Sequence, residues 1–176
     1  NNPKRKLKVT LQIIKDGNSK VGVNTHLTNR IVLDALNKNI IKEFDKDVSI
    51  KSEVKFGKNT RFDFLLSTKN FKAFLEVKNV TLKRKPKNAE FPDAITSRGT
   101  KHIKELLNAK KKGFKIYIIF IVQREDCDKF SIANDIDPEY SKTLSLAVKK
   151  KLNILCYDCK FSSKRIEINK KIKINI

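Results

Sequence analysis

The sequence of 176 residues has no methionine, only five glycines and four prolines, and no long apolar run. Its longest apolar stretch, IYIIFIV at residues 116–122, is far too short to span a bilayer and argues against a membrane anchor. Loops are expected to be few, or built from asparagine, lysine and serine. Because residue 1 is not methionine and no signal peptide is visible, we expect a segment before Asn1 to be missing.

Cysteine and histidine are also scarce, which limits the metal chemistry that the chain can offer. Cys127, Cys156 and Cys159 form an odd set without a secretory context, so reduced thiols in a cytoplasmic protein are predicted. The spacing of Cys156 and Cys159 would suit zinc, but there is no second pair and there are only two histidines. Buried or half-buried thiols on a strand are therefore favoured over a zinc site.

Negative charge is in short supply. The 40 Lys and Arg residues face 19 Asp and Glu, a formal net charge of +21. This favours a polyanionic partner, and nucleic acid more than a membrane surface because there is no hydrophobic anchor. The alternative is a compositional bias toward lysine, asparagine and isoleucine on a merely solvated surface. Dense isoleucine and phenylalanine runs exclude a disordered chain, and the length suits one compact domain.

Hydrophobic periodicity predicts a mixed α/β order along the chain. A strand is expected within residues 7–16, followed by a helix within 23–39 with Thr25 or Thr28 as its N-cap. Three strands in an antiparallel meander follow, and then a long basic loop at 81–93. The remaining elements are predicted as a helix at 97–112, a buried parallel strand at 114–122, a helix within 135–151, a strand at 152–158 and one or two strands within 164–176. A meander joined by a helical crossover to a buried strand predicts a mixed sheet flanked by helices.

Two neighbouring strands of the meander carry the candidate chemistry. In FLEVK, the alternation of side chains places Glu76 and Lys78 on one face. On the preceding strand the same alternation places Asp63 with Arg61 and Leu65, opposite an apolar face formed by Phe62, Phe64 and Leu66. The short turn between the strands puts Asp63 roughly across from Glu76. Such an oxygen-rich pocket suits Mg²⁺ or Mn²⁺, with Lys78 orienting the nucleophile. The alternative is a half-exposed face with a cross-strand ion pair between Asp63 and Lys78.

Two further sequence features resemble parts of this motif. Glu53, in an earlier Glu-Val-Lys at residues 53–55, lies on the strand beside Asp63 and is considered as an additional metal ligand. Pro92-Asp93 follows the Glu-Val-Lys at residues 76–78 and lies in the basic loop. Asp93 cannot pair there with the strand carboxylates in the required order, so we do not assign it to the site.

Cationic residues near these strands are candidate contacts for a nucleic-acid backbone. Arg98, Lys101 and His102 follow the helical spacing i, i+3 and i+4, so they are predicted to share one face at a helix start, where the dipole also favours phosphate. The alternative is an ordinary solvated helix face. Four further residues complete the predicted nucleic-acid-binding set: Arg61 on the Asp63 strand, and Lys83, Arg84 and Lys85 in the basic loop.

Several motifs together closely resemble the sugar fermentation stimulation protein family. They are VNTHLTNRIV, SEVKFGKNTRFDF, FLEVKNVTL, FPDAITSRGTKHIKEL and FIVQREDCDKFSIANDIDPEYSKTL, in family order over about residues 20–160. The resemblance implies a restriction-endonuclease-like PD-(D/E)xK domain at 21–176. It also implies that residues 1–20 are a link from an N-terminal OB-like barrel that this chain lacks.

The resemblance further implies a DNA-binding protein linked to the regulation of sugar (maltose) metabolism. The motif aspartate falls on Asp63, and the Glu-x-Lys falls on Glu76 and Lys78, as metal and catalytic residues. The strand sequence before Asp63 is Arg61-Phe62 and lacks the proline of the superfamily motif, a proline that is often missing in this superfamily. Glu53, Arg98, Lys101 and His102 match family positions whose roles are less defined.

Three hypotheses follow for function. The first is a Mg²⁺- or Mn²⁺-dependent phosphodiesterase acting on DNA or RNA, and the second is a DNA-binding regulator without turnover. The third is an RNA-binding accessory protein that uses its lysine clusters. DNA is the favoured partner, no membrane is expected, and a homodimer is an open alternative to a monomer.

Overall fold

A six-stranded mixed sheet forms the centre of the computed structural model, which describes residues 9–176. Its strands are β3 (Ser49–Phe56), β4 (Thr60–Ser67), β5 (Lys72–Val80), β8 (Lys115–Val122), β10 (Asn153–Phe161) and β11 (Ile166–Lys171). They lie in the order β11-β10-β8-β5-β4-β3. The pairs β3–β4, β4–β5 and β10–β11 are antiparallel, whereas β5, β8 and β10 run parallel. The predicted meander and mixed sheet are confirmed.

β8 lies inside the sheet because almost all of its side chains are apolar. Seven of its eight residues are hydrophobic, and those from Ile118 to Val122 are fully buried. A strand with apolar side chains on both faces needs cover on both, which parallel neighbours and crossover helices provide. The predicted central parallel strand is therefore confirmed.

Three α-helices cover the sheet among the described residues: α1 (Thr28–Asn37), α2 (Ser97–Lys111) and α3 (Pro138–Lys149). α2 and α3 contribute to one hydrophobic cluster, and α1 contributes to a second cluster on the other face. Asp137 caps α3 by accepting a hydrogen bond from the Tyr140 N–H.

The start of α1 differs from the prediction, which placed an N-cap at Thr25 or Thr28. A 3-10 turn, Thr25–Leu27, precedes α1, and the Asn24 side chain caps that turn through the His26 N–H. α1 itself begins at Thr28 without a side-chain cap.

A second, four-stranded sheet replaces the predicted basic loop at 81–93, and that prediction is wrong. β6 (Leu82–Lys85) and β7 (Lys87–Phe91) form a hairpin, which is extended by β9 (Cys127–Ile132) and β12 (Lys173–Asn175). β9 was not predicted. The hairpin is rich in lysine, but Ala89 and Glu90 are buried. The basic composition therefore masked two short strands that pack on the domain.

The N-terminal strand is shorter than predicted. β1 (Ile13–Asp16) pairs with β2 (Ser19–Gly22) in a hairpin, whereas a single strand at 7–16 was expected. Residues 1–8 of the predicted link, and the first two residues of that strand, lie outside the described residues. β2 joins the main fold through the Gly22 N–H, which donates to the Gln123 carbonyl oxygen over 2.9 Å.

Two simpler sequence expectations concern cysteine and the membrane. Cys127, Cys156 and Cys159 are buried free thiols, and burial raises the pKa of each, so none is a ready nucleophile. No helix within residues 9–176 has the length and apolar character needed to cross a membrane.

Phe120 of β8 connects the two sheets, and its truncation should be costly. The ring is fully buried, with its centroid 4.5 Å from Phe130 of β9 and 5.4 Å from Phe91 of β7. We expect Phe120→Ala to lower the free energy of unfolding by about 3–5 kcal/mol in urea denaturation. The control Leu146→Ala, at a half-exposed position of α3, should change it by about 0.5 kcal/mol or less. A loss below about 1 kcal/mol for Phe120→Ala would contradict this packing.

Candidate active site

Asp63 lies where the regular pairing of β4 with both neighbouring strands is interrupted. The β4–β5 ladder runs from Ser67↔Lys72 to Phe64↔Leu75 and stops there. The β3–β4 ladder has no pair between Ser52↔Phe64 and Val54↔Phe62, and Glu53, at the gap, has a φ of 55°. The strand pairing thus changes on both sides of the same aspartate.

This interruption corrects the predicted faces of β4. Phe62 packs in the cluster beneath α2 and α3, whereas Phe64 and Leu66 pack in the cluster beneath α1. Strict alternation had placed all three on one face, opposite Asp63 and Leu65. Alternation holds only while a strand continues without a break, so it fails at Asp63.

The carboxylate of Asp63 accepts a hydrogen bond from a backbone N–H of β5 that the interrupted ladder leaves without a strand partner. Its Oδ2 accepts a hydrogen bond from the Val77 N–H of β5 over 2.7 Å. Its Oδ1 accepts from the Asn29 side chain of α1 over 2.8 Å. These two bonds fix the carboxylate against β5, one residue from Glu76.

Glu76 is the most deeply buried acid of the site, with only 3% of its surface exposed. Its Oε1 accepts from Lys78 Nζ over 2.6 Å and contacts His102 Nδ1 of α2. Burial alone would raise the Glu76 pKa, but Lys78 and His102 together outweigh burial and lower it. Glu76 is therefore ionised at neutral pH. Its other oxygen, Oε2, is buried and has no hydrogen-bond partner among the described residues.

The pKa of Asp63 is shifted in the opposite direction to that of Glu76. Burial, followed by the negative charge of Glu76, raises the pKa of Asp63 from its ordinary value of 3.8 to about 6. The bonds from Val77 and Asn29 and the charge of Lys78 limit that rise. The negative charge of Glu76 therefore opposes ionisation of Asp63, and the two carboxyl groups ionise in separate pH ranges.

A basic cleft of about 340 Å³ is lined in part by His102, the α2 residue that contacts Glu76. His102 belongs both to this cleft and to the Glu76 contact, so it marks the place where the two meet. The remaining lining consists of polar and cationic residues: Lys55, Lys58, Asn59, Thr60, Arg61, Arg98 and Lys101. Four residues of the predicted nucleic-acid-binding set, Arg61, Arg98, Lys101 and His102, are thus brought together.

His102 corrects one detail of that prediction. Arg98 and Lys101 are exposed, but His102 is buried and turned toward Glu76 instead of sharing their solvated face. Helical spacing shows which residues are neighbours, but not which of them points into the fold.

The other three predicted cations lie on the second sheet and not in the cleft. Lys83 forms an ion pair with Asp126, and Arg84 forms ion pairs with Glu90 and Asp135. Lys85 is exposed at the end of β6. Because acids already neutralise Lys83 and Arg84, the structure gives no geometric support for grouping them with the cleft. Their role in nucleic-acid binding stays a prediction.

Glu53 also lies apart from the two buried carboxylates. Its side chain is 57% exposed and faces Arg61, with 3.7 Å between Glu53 Oε2 and Arg61 Nη1. Within residues 9–176, no group of three or more His, Cys, Asp or Glu side chains is arranged to hold a metal ion. A cation at this site would therefore have Asp63 and Glu76 as its protein ligands, and Glu53 as a third ligand stays a prediction.

Asp63 and Glu76 nevertheless fit a hard divalent cation. Glu76 supplies an ionised carboxylate whose Oε2 has no partner within residues 9–176, and Asp63 supplies a second carboxylate whose pKa is raised by the Glu76 charge. Mg²⁺ is commonly held by one or two carboxylates, with water and substrate phosphate completing its shell. An unpartnered carboxylate oxygen in a buried site needs such a counter-charge or donor.

Sequence reasoning did not identify Asn29, the residue that holds Asp63 from the opposite face of the sheet. Asn29 lies in the quoted motif VNTHLTNRIV, but it is 34 residues from Asp63, and no periodic signal connects them. A second missed residue is Tyr140 of α3, whose buried hydroxyl has no partner among the described residues. Burial raises the pKa of Tyr140 well above its ordinary value, and the charges of Glu76 and Asp137 add to that rise.

A buried polar network next to the site was also missed. The Gln123 side chain, at the end of β8, donates to Asn79 of β5 and to Thr28 of α1. Asn79 directly follows Lys78, and Thr28 directly precedes Asn29. The network therefore connects β5, which carries Lys78, and α1, which carries Asn29, to the end of β8.

Comparisons with known proteins agree with this fold. Residues 26–165 match the family model described as the sugar fermentation stimulation protein RE domain, where RE denotes restriction endonuclease-like. A sugar fermentation stimulation protein homolog of Pelagibacter ubique is 56% identical over 172 residues, which are 98% of this chain and 74% of that protein. A homolog of Caulobacter vibrioides is 39% identical, over 97% of this chain and 72% of that protein.

A solved structure gives an independent comparison of the fold. The structure of Pyrococcus furiosus SfsA, described as in complex with Ca²⁺, has a TM-score of 0.85 at 25% identity. The match covers 94% of this chain and 71% of that one. The restriction-endonuclease-like fold and the family resemblance predicted from the sequence are both confirmed.

The bond between Asn29 and Asp63 predicts a measurable shift in titration. In the metal-free protein, we expect Asp63 to titrate near pH 6, and Asn29→Ala to raise that pKa further because a donor to the ionised form is lost. Since the folded-state pKa lies above the ordinary value, ionisation of Asp63 reduces stability as pH rises from about 4 to 6. NMR of the Asp63 carboxyl carbon measures the titration.

Asn37→Ala, at the exposed end of α1, is the matched control and should leave the Asp63 pKa unchanged. A wild-type Asp63 pKa near 4, or a decrease in Asn29→Ala, would contradict the described environment.

Proposed function

This chain belongs to the sugar fermentation stimulation protein family, and from its site we propose that it binds DNA and hydrolyses phosphodiester bonds with the aid of Mg²⁺ or Mn²⁺. The observation that carries the proposal is the buried, ionised Glu76 beside Asp63 and Lys78; the Glu76 Oε2 has no hydrogen-bond partner in the described part of the chain. Keeping such a charge out of water is costly unless a cation or donor compensates for it.

Asp63 and Glu76 are the proposed protein ligands of the cation. A divalent ion bound there would polarise the phosphodiester and make a nearby water more acidic. The structural relative described as in complex with Ca²⁺ supports a divalent-cation site in this fold. The preference for Mg²⁺ or Mn²⁺ rests on the small number of protein carboxylates, because Mg²⁺ retains several waters and uses substrate phosphate as a ligand.

Asn29 and Val77 keep the Asp63 carboxylate in place while it ionises. Both donate to Asp63 and so favour its charged form, against the effect of burial. Metal binding requires an ionised carboxylate, so these two donors support affinity near neutral pH.

Lys78 has a proposed role in orienting the attacking water or the phosphate oxygen. Its Nζ already lies 2.6 Å from Glu76 Oε1, so the lysine is held at the carboxylate that binds the cation. His102 approaches the same oxygen from α2, so among the described residues Oε2 is the Glu76 oxygen without a donor.

The basic cleft is the proposed contact for the nucleic-acid backbone next to the scissile bond. Arg98 and Lys101 are exposed in the first turns of α2, where the positive end of the helix dipole adds to their charge. Arg61 and Lys55 lie across from them on β4 and β3. Such cations position phosphates and do not read bases, so binding with little sequence preference is expected from this cleft.

A DNA-binding regulator without turnover is the second candidate. One observation favours it: among the described residues, the basic cleft meets the buried carboxylates only at His102, so a backbone can bind there without reaching Glu76. The proposed link to the regulation of sugar (maltose) metabolism fits either candidate, since both require nucleic-acid binding. An RNA-binding role differs only in the polymer bound.

The proposed activity is tested by cleavage of labelled single- and double-stranded DNA and RNA with Mg²⁺, Mn²⁺ or EDTA. We expect DNA cleavage that requires metal and falls by about a thousandfold or more in Asp63→Asn and Glu76→Gln, because metal stabilisation of several kcal/mol is lost. Both variants should still bind DNA, since the cleft cations are unchanged.

Asp47→Asn is the matched control, an acid-to-amide change at an exposed position before β3, and should retain activity within about threefold. Cleavage that persists in both site variants would exclude this active site. Binding by wild type without cleavage under any metal would assign the non-catalytic regulator instead.

A further inference from the structure

A second cationic surface lies at the far end of α2, away from the candidate active site. It is a groove of about 660 Å³ between the C-terminal ends of α2 and α3, and we name it the lysine groove. Its lining contains six lysines and no acid: Lys104, Leu107, Asn108, Lys110, Lys111, Lys149, Lys150 and Lys151.

The topology explains why the two helix ends meet. α2 connects β5 to the parallel strand β8, and α3 lies in the connection from β8 to the parallel strand β10. Both helices therefore run opposite to these strands, and both end beside the starts of β8 and β10. The basic sequences at residues 110–112 and 149–151 are thereby brought to one place.

The helix dipoles neutralise only part of the positive charge of the lysine groove. A helix C-terminus carries roughly half a negative charge, so two ends offset about one lysine. Lys104 is paired with Glu139, with 3.2 Å between Nζ and Oε1. Among the described residues, the other five lysines form no ion pair with a carboxylate. About four positive charges therefore remain without a neutralising group.

α2 connects this surplus to the basic cleft. Arg98 and Lys101 belong to the cleft, and Lys104 and Lys111 belong to the groove. At a rise of 1.5 Å per residue, the 13 steps from Arg98 to Lys111 span about 20 Å. That length corresponds to roughly six base pairs of duplex at 3.4 Å each.

We propose that the lysine groove is a second contact for the nucleic-acid backbone, holding a stretch of substrate about 20 Å along α2 from the basic cleft. This inference rests on the proposed function, because it extends the path of the same substrate. The groove offers flexible point charges without a recognition pattern for bases, as phosphate contacts require. It increases affinity and orients the polymer, and it takes no part in the chemistry.

The lining favours a polynucleotide over an acidic protein. Protein interfaces are depleted in lysine and depend on tryptophan, tyrosine and arginine at their centres. The groove contains none of these three residue types, and Leu107 is its one hydrophobic lining residue.

The test is DNA binding by a triple variant with Lys111→Gln, Lys149→Gln and Lys150→Gln, all at exposed positions. Fluorescence anisotropy with a labelled 20-base-pair duplex in EDTA measures Kd over a range of salt concentrations. We expect Kd to rise by roughly tenfold or more at 0.1 M salt, and the slope of log K against log salt to become shallower by about 2 to 3 units. Thermal unfolding should match wild type.

The control removes the same charge from the α1 side of the sheet, at the exposed residues Lys42, Lys46 and Lys164. It should change Kd by less than about threefold, since only long-range attraction is lost. Equal effects of the two triple variants would overturn the lysine groove as a contact while leaving the proposed function intact. Absence of wild-type binding to DNA and RNA would overturn both. Preferential competition by polyglutamate over DNA would assign the groove to an acidic protein.

Discussion

Glu76 is an ionised carboxylate that lies almost entirely out of water, and the geometry around it follows from the need to balance that charge. Lys78 supplies one cation from the same strand, two residues away, and His102 supplies a donor from α2. α2 reaches Glu76 because it crosses from β5 to the parallel strand β8 over the same face of the sheet. One oxygen of Glu76 has no donor among residues 9–176, and the proposed cation would supply the missing counter-charge.

The interruption of β4 at Asp63 is the second element of this arrangement. Regular pairing would have bonded the Val77 N–H to the backbone of β4, but here that N–H bonds to the Asp63 carboxylate. The positive φ of Glu53 at the same level of β3 indicates that the neighbouring strand also deviates. Departures from regular backbone are concentrated at functional sites, where surrounding contacts hold them in place. The well-packed central strand β8 and the polar network around Gln123 provide such support.

Much of this fold and site could be predicted from local patterns, and the failures have physical causes. Alternation along β5 correctly placed Glu76 with Lys78, and the short turn correctly brought Asp63 close to Glu76. Alternation failed along β4 because the ladder breaks at Asp63. The hairpin at residues 82–91 was mistaken for a loop because its strands are short and rich in lysine, and their burial depends on a distant strand. The Asn29 contact joins α1 to β4 over 34 residues of sequence, so local spacing could not predict it.

The central claim is that Asp63 and Glu76 together bind a divalent cation, and a crystal soaked with Mn²⁺ near pH 7.5 tests it most directly. The account predicts an anomalous-scattering peak within about 2 to 2.5 Å of one carboxylate oxygen from each residue, with the Glu76 contact made by Oε2. The remaining ligands should be water. A map without a peak at these carboxylates, at a Mn²⁺ concentration that occupies other acidic sites, would contradict the account.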